Sequence, residues 1–235
     1  MRPARSDTGT VGDWIIDTGT GGPLTLAGTA PAIPVNPLGS KRVDIAAQLT
    51  GTDGFTKDGE GVLRLINGSS NISGPVVVSA GNLLLPVMAL SSATTVAING
   101  GSLISATGAA NAIGGTISFG GGTLQYNNDP GTDYSAQFST DPGQQYRINV
   151  ISAGTPSTPR VVTYATNLSS DGGSLVKLAQ GILILQAANT FNGTTTLSDG
   201  TLQLDDALAL QNSALDTNAS NAGTTERGIV LNGVT

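Results

Sequence analysis

The sequence predicts an all-β fold, a solenoid of stacked parallel strands whose turns are about 20 residues long. The first observation is a recurring motif, a glycine followed two residues later by leucine, as in Gly61-Val62-Leu63-Arg64-Leu65. The second is its period, because the leucine returns as Leu63, Leu83, Leu103 and Leu124. The third is an alternation of apolar and polar residues within the copies, which is typical of strands. A short strand at a fixed period indicates units that stack on one another.

The alternation assigns the two faces of each strand. Leu63 and Leu65 point to one side and Arg64 to the other, so the leucines are expected to face the core. The same parity holds five and three residues before the glycine. Those positions are Val76 and Val78, Val96 and Ile98, and Ile117 and Phe119. Each unit is therefore expected to hold two short strands, and one solution is a solenoid whose successive turns pair about 4.8 Å apart.

Glycine is expected at the corners between these strands, where the chain bends and a side chain would obstruct a positive φ. The repeat glycines are Gly22, Gly61, Gly81, Gly101, Gly122, Gly181 and Gly200. The expected core ladder is Leu24, Leu63, Leu65, Leu83, Leu85, Leu103, Leu124, Leu183, Leu185, Leu202 and Leu204. Both sets have structural roles, and the sequence predicts no catalytic residue, no cofactor and no metal site.

The chain is expected to form one domain, because one period runs through most of it. Residues 1–12 are polar and are expected to be a flexible N-terminal segment, and residues 13–235 a single parallel β-helix fragment. Turn residues cluster, and loops are expected, near 127–145, 153–160 and 205–227. In the last loop, Ala207 to Leu215 is predicted to form one helical turn or two.

Composition narrows the classes of function. Of 235 residues, 33 are glycine and 11% are charged, and the net charge is −6. Nucleic-acid binding is not expected of an acidic chain without a basic patch. The absence of cysteine and histidine removes disulfides, thiolate chemistry and the commonest general base. No stretch is a signal peptide or reaches transmembrane length, so an exported chain of this kind is expected to be an internal piece of a longer protein.

A longer self-match links Val43–Leu85 with Val161–Leu204. Phe55 to Leu65 resembles the "LTKxGxGTLTL" half of the passenger-associated transport repeat of bacterial autotransporters, and Asn71 to Leu85 resembles its "NTYxGxTxVxxGTLxL" half. The second copy, Leu175 to Leu204, follows the same pattern more closely. The sequence thus resembles an autotransporter passenger carrying two such repeats, a surface-exposed, adhesin-like β-helix protein.

This resemblance implies a right-handed, single-stranded parallel β-helix, exported through an outer membrane and displayed on the bacterial cell surface or secreted. It implies a non-catalytic module that projects a binding surface. The expected partners are glycans or proteins of host or neighbouring cells, and copies of the chain that associate end to end through open strand edges. An alternative from the enzyme class is a β-helical polysaccharide lyase or glycoside hydrolase that acts on acidic glycans.

Charged residues are the candidates for that alternative. An enzyme of this kind needs carboxylates held on adjacent turns with a basic residue nearby. Outside the turn at 53–60, the close carboxylate pairs are Asp129 with Asp133 and Asp205 with Asp206, in contexts typical of turns. Lys57 and Lys177 recur at equivalent places in the two copies. They are expected to be solvated charges at corners of the solenoid, with contact to an acidic glycan as the other interpretation.

Three further patterns favour structural roles. Gly120 to Thr123 lacks the aspartate of a calcium-binding repeat. The threonines Thr190, Thr194, Thr195, Thr196 and Thr201 do not recur on successive units, so strand propensity explains them better than a flat water-ordering face. The aromatic residues Tyr126, Tyr134, Phe138, Tyr146 and Tyr164 are expected to fill the core of wider turns, with a sugar-stacking surface as the alternative.

Overall fold

The structure, a computed structural model, is built from short strands. It describes residues 13–29, 31–36, 42–87, 89–90, 93–106, 112–127, 131–151, 158–217 and 228–232. The chain forms two compact units, residues 1–117 and residues 118–235. In the described part of the chain the strands are joined by turns and by one 3₁₀ helix, Ser135–Gln137. The predicted flexible segment 1–12 and most of the predicted loop 153–160 lie outside the described residues.

The first unit consists of strands of two to five residues. They are β1 (Trp14–Ile16), β2 (Leu24–Thr25), β3 (Ala32–Pro34), β4 (Arg42–Ile45), β5 (Leu49–Gly51), β6 (Phe55–Asp58), β7 (Val62–Leu65), β8 (Asn71–Ile72), β9 (Val76–Val78), β10 (Asn82–Leu85), β11 (Thr95–Ile98) and β12 (Ser102–Ala106). The next strand, β13 (Thr116–Phe119), contains the boundary between the units.

The strand pairs that the structure describes in the first unit are parallel, and they form three ladders. One ladder runs β1-β4-β7-β10-β12. A second runs β3-β6-β9-β11, and a third β2-β5-β8. Each turn of the chain therefore contributes one strand to each of two or three ladders. This is the arrangement of a β-solenoid, as the period predicts.

The second unit has the same arrangement of parallel ladders, with longer segments between some of its strands. Its strands are β14 (Thr123–Asn127), β15 (Gln145–Val150), β16 (Val161–Tyr164), β17 (Ser174–Leu178), β18 (Ile182–Leu185), β19 (Thr195–Leu197), β20 (Thr201–Leu204), β21 (Leu215–Asp216) and β22 (Gly228–Leu231). One parallel ladder runs β14-β15-β17-β19-β21 and another β16-β18-β20-β22. The all-β solenoid is confirmed, with turns of about 21 residues.

Strand register brings equivalent residues of successive turns together. In the first unit Val43, Leu63, Leu83 and Leu103 are consecutive partners in one column. In the second unit Val162, Leu183, Leu202 and Ile229 form such a column. Burial alternates along β7, β10, β18 and β20 as the sequence predicts. The core of each unit therefore consists of stacked columns of inward-facing side chains, and their burial drives folding through the hydrophobic effect.

The predicted helical segment Ala207 to Leu215 is wrong. Consecutive turns occupy 207–212, and strand β21 follows at Leu215–Asp216. Contacts with the preceding turn explain the difference: Gln211 donates a hydrogen bond to the Asn189 carbonyl (2.9 Å), and Ser213 Oγ to the Gly193 carbonyl (2.6 Å). These bonds hold the segment along the underlying turn, and such tertiary contacts override helix propensity.

Candidate functional site

The corner of each repeat copy contains a buried lysine. Lys57 lies in β6 between Ile33 of β3 and Val78 of β9, and Val78 in turn pairs with Ile98. Its column is otherwise aliphatic. Lys57 is 0% exposed, as are Val78 and Ile98. A charged side chain thus occupies an inward position of the core, which is rare unless the charge is paired or hydrogen-bonded.

The Lys57 ammonium group donates three hydrogen bonds to backbone carbonyls. Its Nζ atom lies 2.9 Å from the oxygen of Asp58 and 2.6 Å from that of Gly59, both at the end of its own strand. The third acceptor, 3.0 Å away, is the oxygen of Ala80 in the following turn. Three acceptors match the three N–H bonds of an ammonium group. The side chain therefore connects two successive corners of the solenoid.

The second copy has the same arrangement. Lys177 pairs with Ile148 and Leu197 in its ladder and is 0% exposed. Its Nζ donates to the carbonyl oxygens of Leu178 (2.9 Å), Ala179 (2.6 Å) and, in the following turn, Asp199 (3.1 Å). The central acceptor residue has a left-handed backbone in both copies, with φ of +72° at Gly59 and +59° at Ala179. The geometry of the site is thus repeated in detail.

The expectation that these lysines are solvated is wrong, and contact with an external glycan is equally incompatible with their burial. Burial lowers the pKa of Lys177 to about 7, against the opposing effect of the Asp199 carboxylate. It also lowers the pKa of Lys57, which the charges of Asp58 and Glu60 partly counteract. Burial disfavours the charged form of a lysine, whereas hydrogen bonds to the ammonium group favour it.

The corner glycines are required for two different reasons. Gly81 and Gly200 have positive φ values of +62° and +71°. At both positions a Cβ atom would also overlap carbonyl oxygens of the preceding turn. Gly61, Gly101 and Gly181 have no such φ, but a Cβ atom there would collide with backbone or side-chain atoms of the preceding turn. Close stacking of corners therefore excludes side chains even where the backbone would permit them.

The predicted core leucines lie in several columns. Their side chains are 9% exposed or less at positions 63, 65, 83, 85, 103, 124, 183, 185, 202 and 204. Leu24 is partly buried, and Gly22 is exposed with open space around it. In the second unit Leu124 pairs with Ile148, in the column of Lys177, whereas Leu183 pairs with Val162 and Leu202. The glycine-led strand of the second copy, β18, therefore lies in a different ladder from β14, the strand of Leu124.

The candidate acidic residues bind backbone and amide groups of their own surroundings. Asp133 accepts hydrogen bonds from the backbone amides of Ser135 and Ala165 (2.8 and 2.9 Å), and Asp206 from that of Leu208 (2.7 Å). Asp205 accepts from the side-chain amides of Gln203 (2.7 Å), Asn232 and Gln186, and these bonds, the one from Gln203 above all, lower its pKa. Asp129 lies outside the described residues.

An ion-pair network that sequence reasoning missed lies on the first unit. Asp44 is only 3% exposed and accepts hydrogen bonds from Arg42 Nε (3.0 Å) and Arg64 Nε (3.0 Å), with a second contact to Arg64 Nη2. Arg42 also forms an ion pair with Asp13 (2.8 Å). The signal was available, because Asp44 and Arg64 lie one period apart at outward positions and are register partners.

The aromatic residues fill the core of the second unit, as predicted. Tyr126, Tyr134, Phe138, Tyr146 and Tyr164 are each 7% exposed or less. Edge-to-face and stacked contacts join several of them, with ring centroids 5.2 Å apart for Phe138 and Tyr164 and 5.8 Å for Phe138 and Tyr146. The Tyr146 hydroxyl donates to the Ser139 carbonyl (3.1 Å), and burial raises its pKa to about 12. These rings are therefore unavailable for stacking on an external sugar.

The threonine run does not form a flat outward face. Thr195 points into the core, is 0% exposed and shares a hydrogen bond of 2.8 Å with Ser213 Oγ. Among the residues the structure describes, no three acidic, histidine or cysteine side chains converge as a group that could hold a metal ion. The same part of the chain contains no helix long and apolar enough to span a membrane.

Known proteins share the two sequence repeats of this chain. The passenger-associated-transport-repeat family model matches residues 55–85 and 175–204, the two segments that contain the buried lysines. The adhesin BmaC autotransporter of Brucella suis biovar 1 (strain 1330) is 30% identical over 186 residues, or 78% of this chain. The chain is a passenger-associated β-repeat protein. The resemblance inferred from the sequence is thereby confirmed.

Other comparisons set the scope of this assignment. The matched region is 5% of the length of the Brucella protein. No solved structure matches the chain. Localisation at the bacterial cell surface or in the extracellular medium follows from the passenger repeats and the autotransporter relative, and confirms the prediction from the sequence.

Proposed function

We propose that this passenger-associated β-repeat protein is a non-catalytic, adhesin-like module whose solenoid presents a binding surface. The observation that carries the proposal is its 30% identity, over 78% of the chain, to an autotransporter named as an adhesin. The interior supports a structural role, because inward positions hold stacked aliphatic and aromatic side chains. Binding would then depend on outward side chains and on loops, which a rigid scaffold holds in place.

Glycans or proteins of host or neighbouring cells are the partners we propose. Outward positions of the second unit supply polar side chains at alternate residues, for example Thr123, Gln125 and Asn127 on β14. Arg147 lies on the outward side of β15, beside Thr123. Copies of this chain, joined through strand edges, are a second proposed partner, which light scattering at several protein concentrations would detect.

The test is a binding screen run beside an assay for turnover. We expect the purified chain to bind cultured host cells or members of a glycan array, and to release no unsaturated products from acidic polysaccharides. Two variants of the second unit are compared. Arg147→Ala changes an outward side chain, whereas Leu183→Ala changes a buried side chain and serves as the comparison for loss of stability. If the second unit holds the binding surface, Arg147→Ala will weaken binding while leaving the unfolding transition unchanged. Turnover by purified protein, or the absence of binding to any cell or glycan, would contradict the proposal.

A further inference from the structure

We propose that Lys57 and Lys177 are tethered ammonium groups that link the corner of one turn to the corner of the next, one link in each repeat. Each link sets the spacing and register of two neighbouring turns. The site is a cradle of three backbone carbonyls, and its ligand is the alkylammonium group of the chain itself. This inference does not depend on what the protein binds.

The first argument is that donors and acceptors match. Each Nζ has three N–H bonds and three carbonyl acceptors between 2.6 and 3.1 Å. Two acceptors in each copy belong to the lysine's own corner and one to the following turn. A neutral amine would have only two N–H bonds, so it would leave one carbonyl facing a lone pair. The hydrogen-bond geometry therefore fits the charged form, which burial by itself disfavours.

The second argument is the repetition of this geometry in two separate units. The bonds have nearly equal lengths in the two copies, and the shortest goes to a residue with positive φ in each. Positive φ is costly for alanine, yet Ala179 adopts it where the first copy has Gly59. Strain of this kind persists only where the surroundings impose it. At Ala179 this conformation accompanies the shortest of the three bonds, 2.6 Å from Lys177 Nζ to the carbonyl oxygen.

The third argument comes from the use of lysine in the chain. The sequence contains three lysines, Lys41, Lys57 and Lys177, and the last two are fully buried. An aliphatic residue at either position would continue its column, as Val78 and Leu197 do in the following turn. Burial of a charge is unfavourable unless hydrogen bonds compensate for it. A lysine in this column is therefore best explained by the contacts of its ammonium group.

Amide hydrogen exchange on two lysine variants and two matched controls tests the proposal. Lys57→Met and Lys177→Met keep the approximate volume of the side chain and remove the charge. Ile98→Met and Leu197→Met are the controls. Ile98 lies two turns after Lys57 in its column, and Leu197 one turn after Lys177. Neither substitution removes a hydrogen bond to a carbonyl. We expect exchange at least about tenfold faster at Ser79 and Asn82 in Lys57→Met, and at Ser198 and Thr201 in Lys177→Met. These amides bond across the corners concerned.

The pattern of exchange distinguishes a link from ordinary packing. Faster exchange at the corner amides of the unit that carries the lysine substitution, with the other unit unchanged, supports the proposal. Equal protection in the lysine variants and the methionine controls would overturn it, as would a uniform loss of protection over the chain.

The wild-type protein gives a second test in case the variants do not fold. At pH 6, nitrogen-15 spectra of lysine side chains are expected to show two ammonium signals that exchange slowly with water. Acetylation of the folded protein should spare Lys57 and Lys177 until urea is added. Rapid exchange of all ammonium signals, or equal acetylation of all three lysines in the folded state, would contradict the proposal.

Discussion

Replacement of Gly200 by alanine is expected to lower the free energy of unfolding by about 4 kcal/mol, because backbone strain and a steric clash act together at this corner. Gly200 has a φ of +71°, which an alanine adopts only with strain. A Cβ atom would also overlap the carbonyl oxygen of Ala179 and lie 2.8 Å from the carbonyl carbon of Gln180. Backbone atoms cannot move aside as a flexible side chain can. Urea denaturation followed by circular dichroism measures the change.

Gly172→Ala is the matched control for this substitution. Gly172 has a φ of +68°, but no heavy atom beyond the glycine and its two chain neighbours lies within 4 Å of the Cβ position. Only the backbone strain remains there, so the expected loss is about 1 kcal/mol. Equal losses at the two positions would show that turns are not stacked as closely at the Gly200 corner as described.

Leu183→Ala is expected to destabilise the second unit by about 3 to 4 kcal/mol, because it opens a cavity in a fully buried column. Leu183 is 0% exposed and lies between Val162 and Leu202. Its neighbour Ile184 points outward and is only partly buried, so Ile184→Ala should cost about 1 kcal/mol. The comparison measures the alternation of the strand. Similar losses for the two variants in chemical denaturation would contradict it.

Periodicity made the fold predictable. Leu63, Leu83 and Leu103 are spaced at one turn of the chain, and the structure pairs them in register. Alternation of inward and outward residues supplied the orientation of the same strands. Both signals follow from the geometry of stacked strands and require no knowledge of tertiary contacts. Where the period holds, the inward and outward positions therefore follow the predicted alternation along β7 and β10.

The buried lysines show how a general expectation can outweigh a local pattern. In Phe55-Thr56-Lys57-Asp58 the alternation places Lys57 on the inward side, together with Phe55. The expectation that charges remain in water suggested the opposite. What the sequence does not state is the position of three carbonyls, one of them 23 residues away. Contacts between corners depend on how one turn lies on the next, and local sequence does not encode them.

Longer turns limited prediction in the second unit. Leu124 and Leu183 share the glycine-led motif, yet they lie in different ladders. The segment from Tyr134 to Tyr164 lies between them, with the buried aromatic residues and the 3₁₀ helix Ser135–Gln137. More of the chain therefore separates β14 from β18 than separates the glycine-led strands β7 and β10 of the first unit. A motif fixes the conformation of its own strand but not the ladder to which that strand belongs.

The central claim is that successive turns are parallel and paired one period apart. Nuclear Overhauser effects between backbone protons of opposed residues measure this directly. The account predicts inter-strand contacts of Leu63 with Leu83, Leu83 with Leu103, and Leu183 with Leu202. Contacts that instead pair neighbouring strands of one turn as antiparallel hairpins, such as β6 with β7, would contradict the solenoid and every inference drawn from its corners.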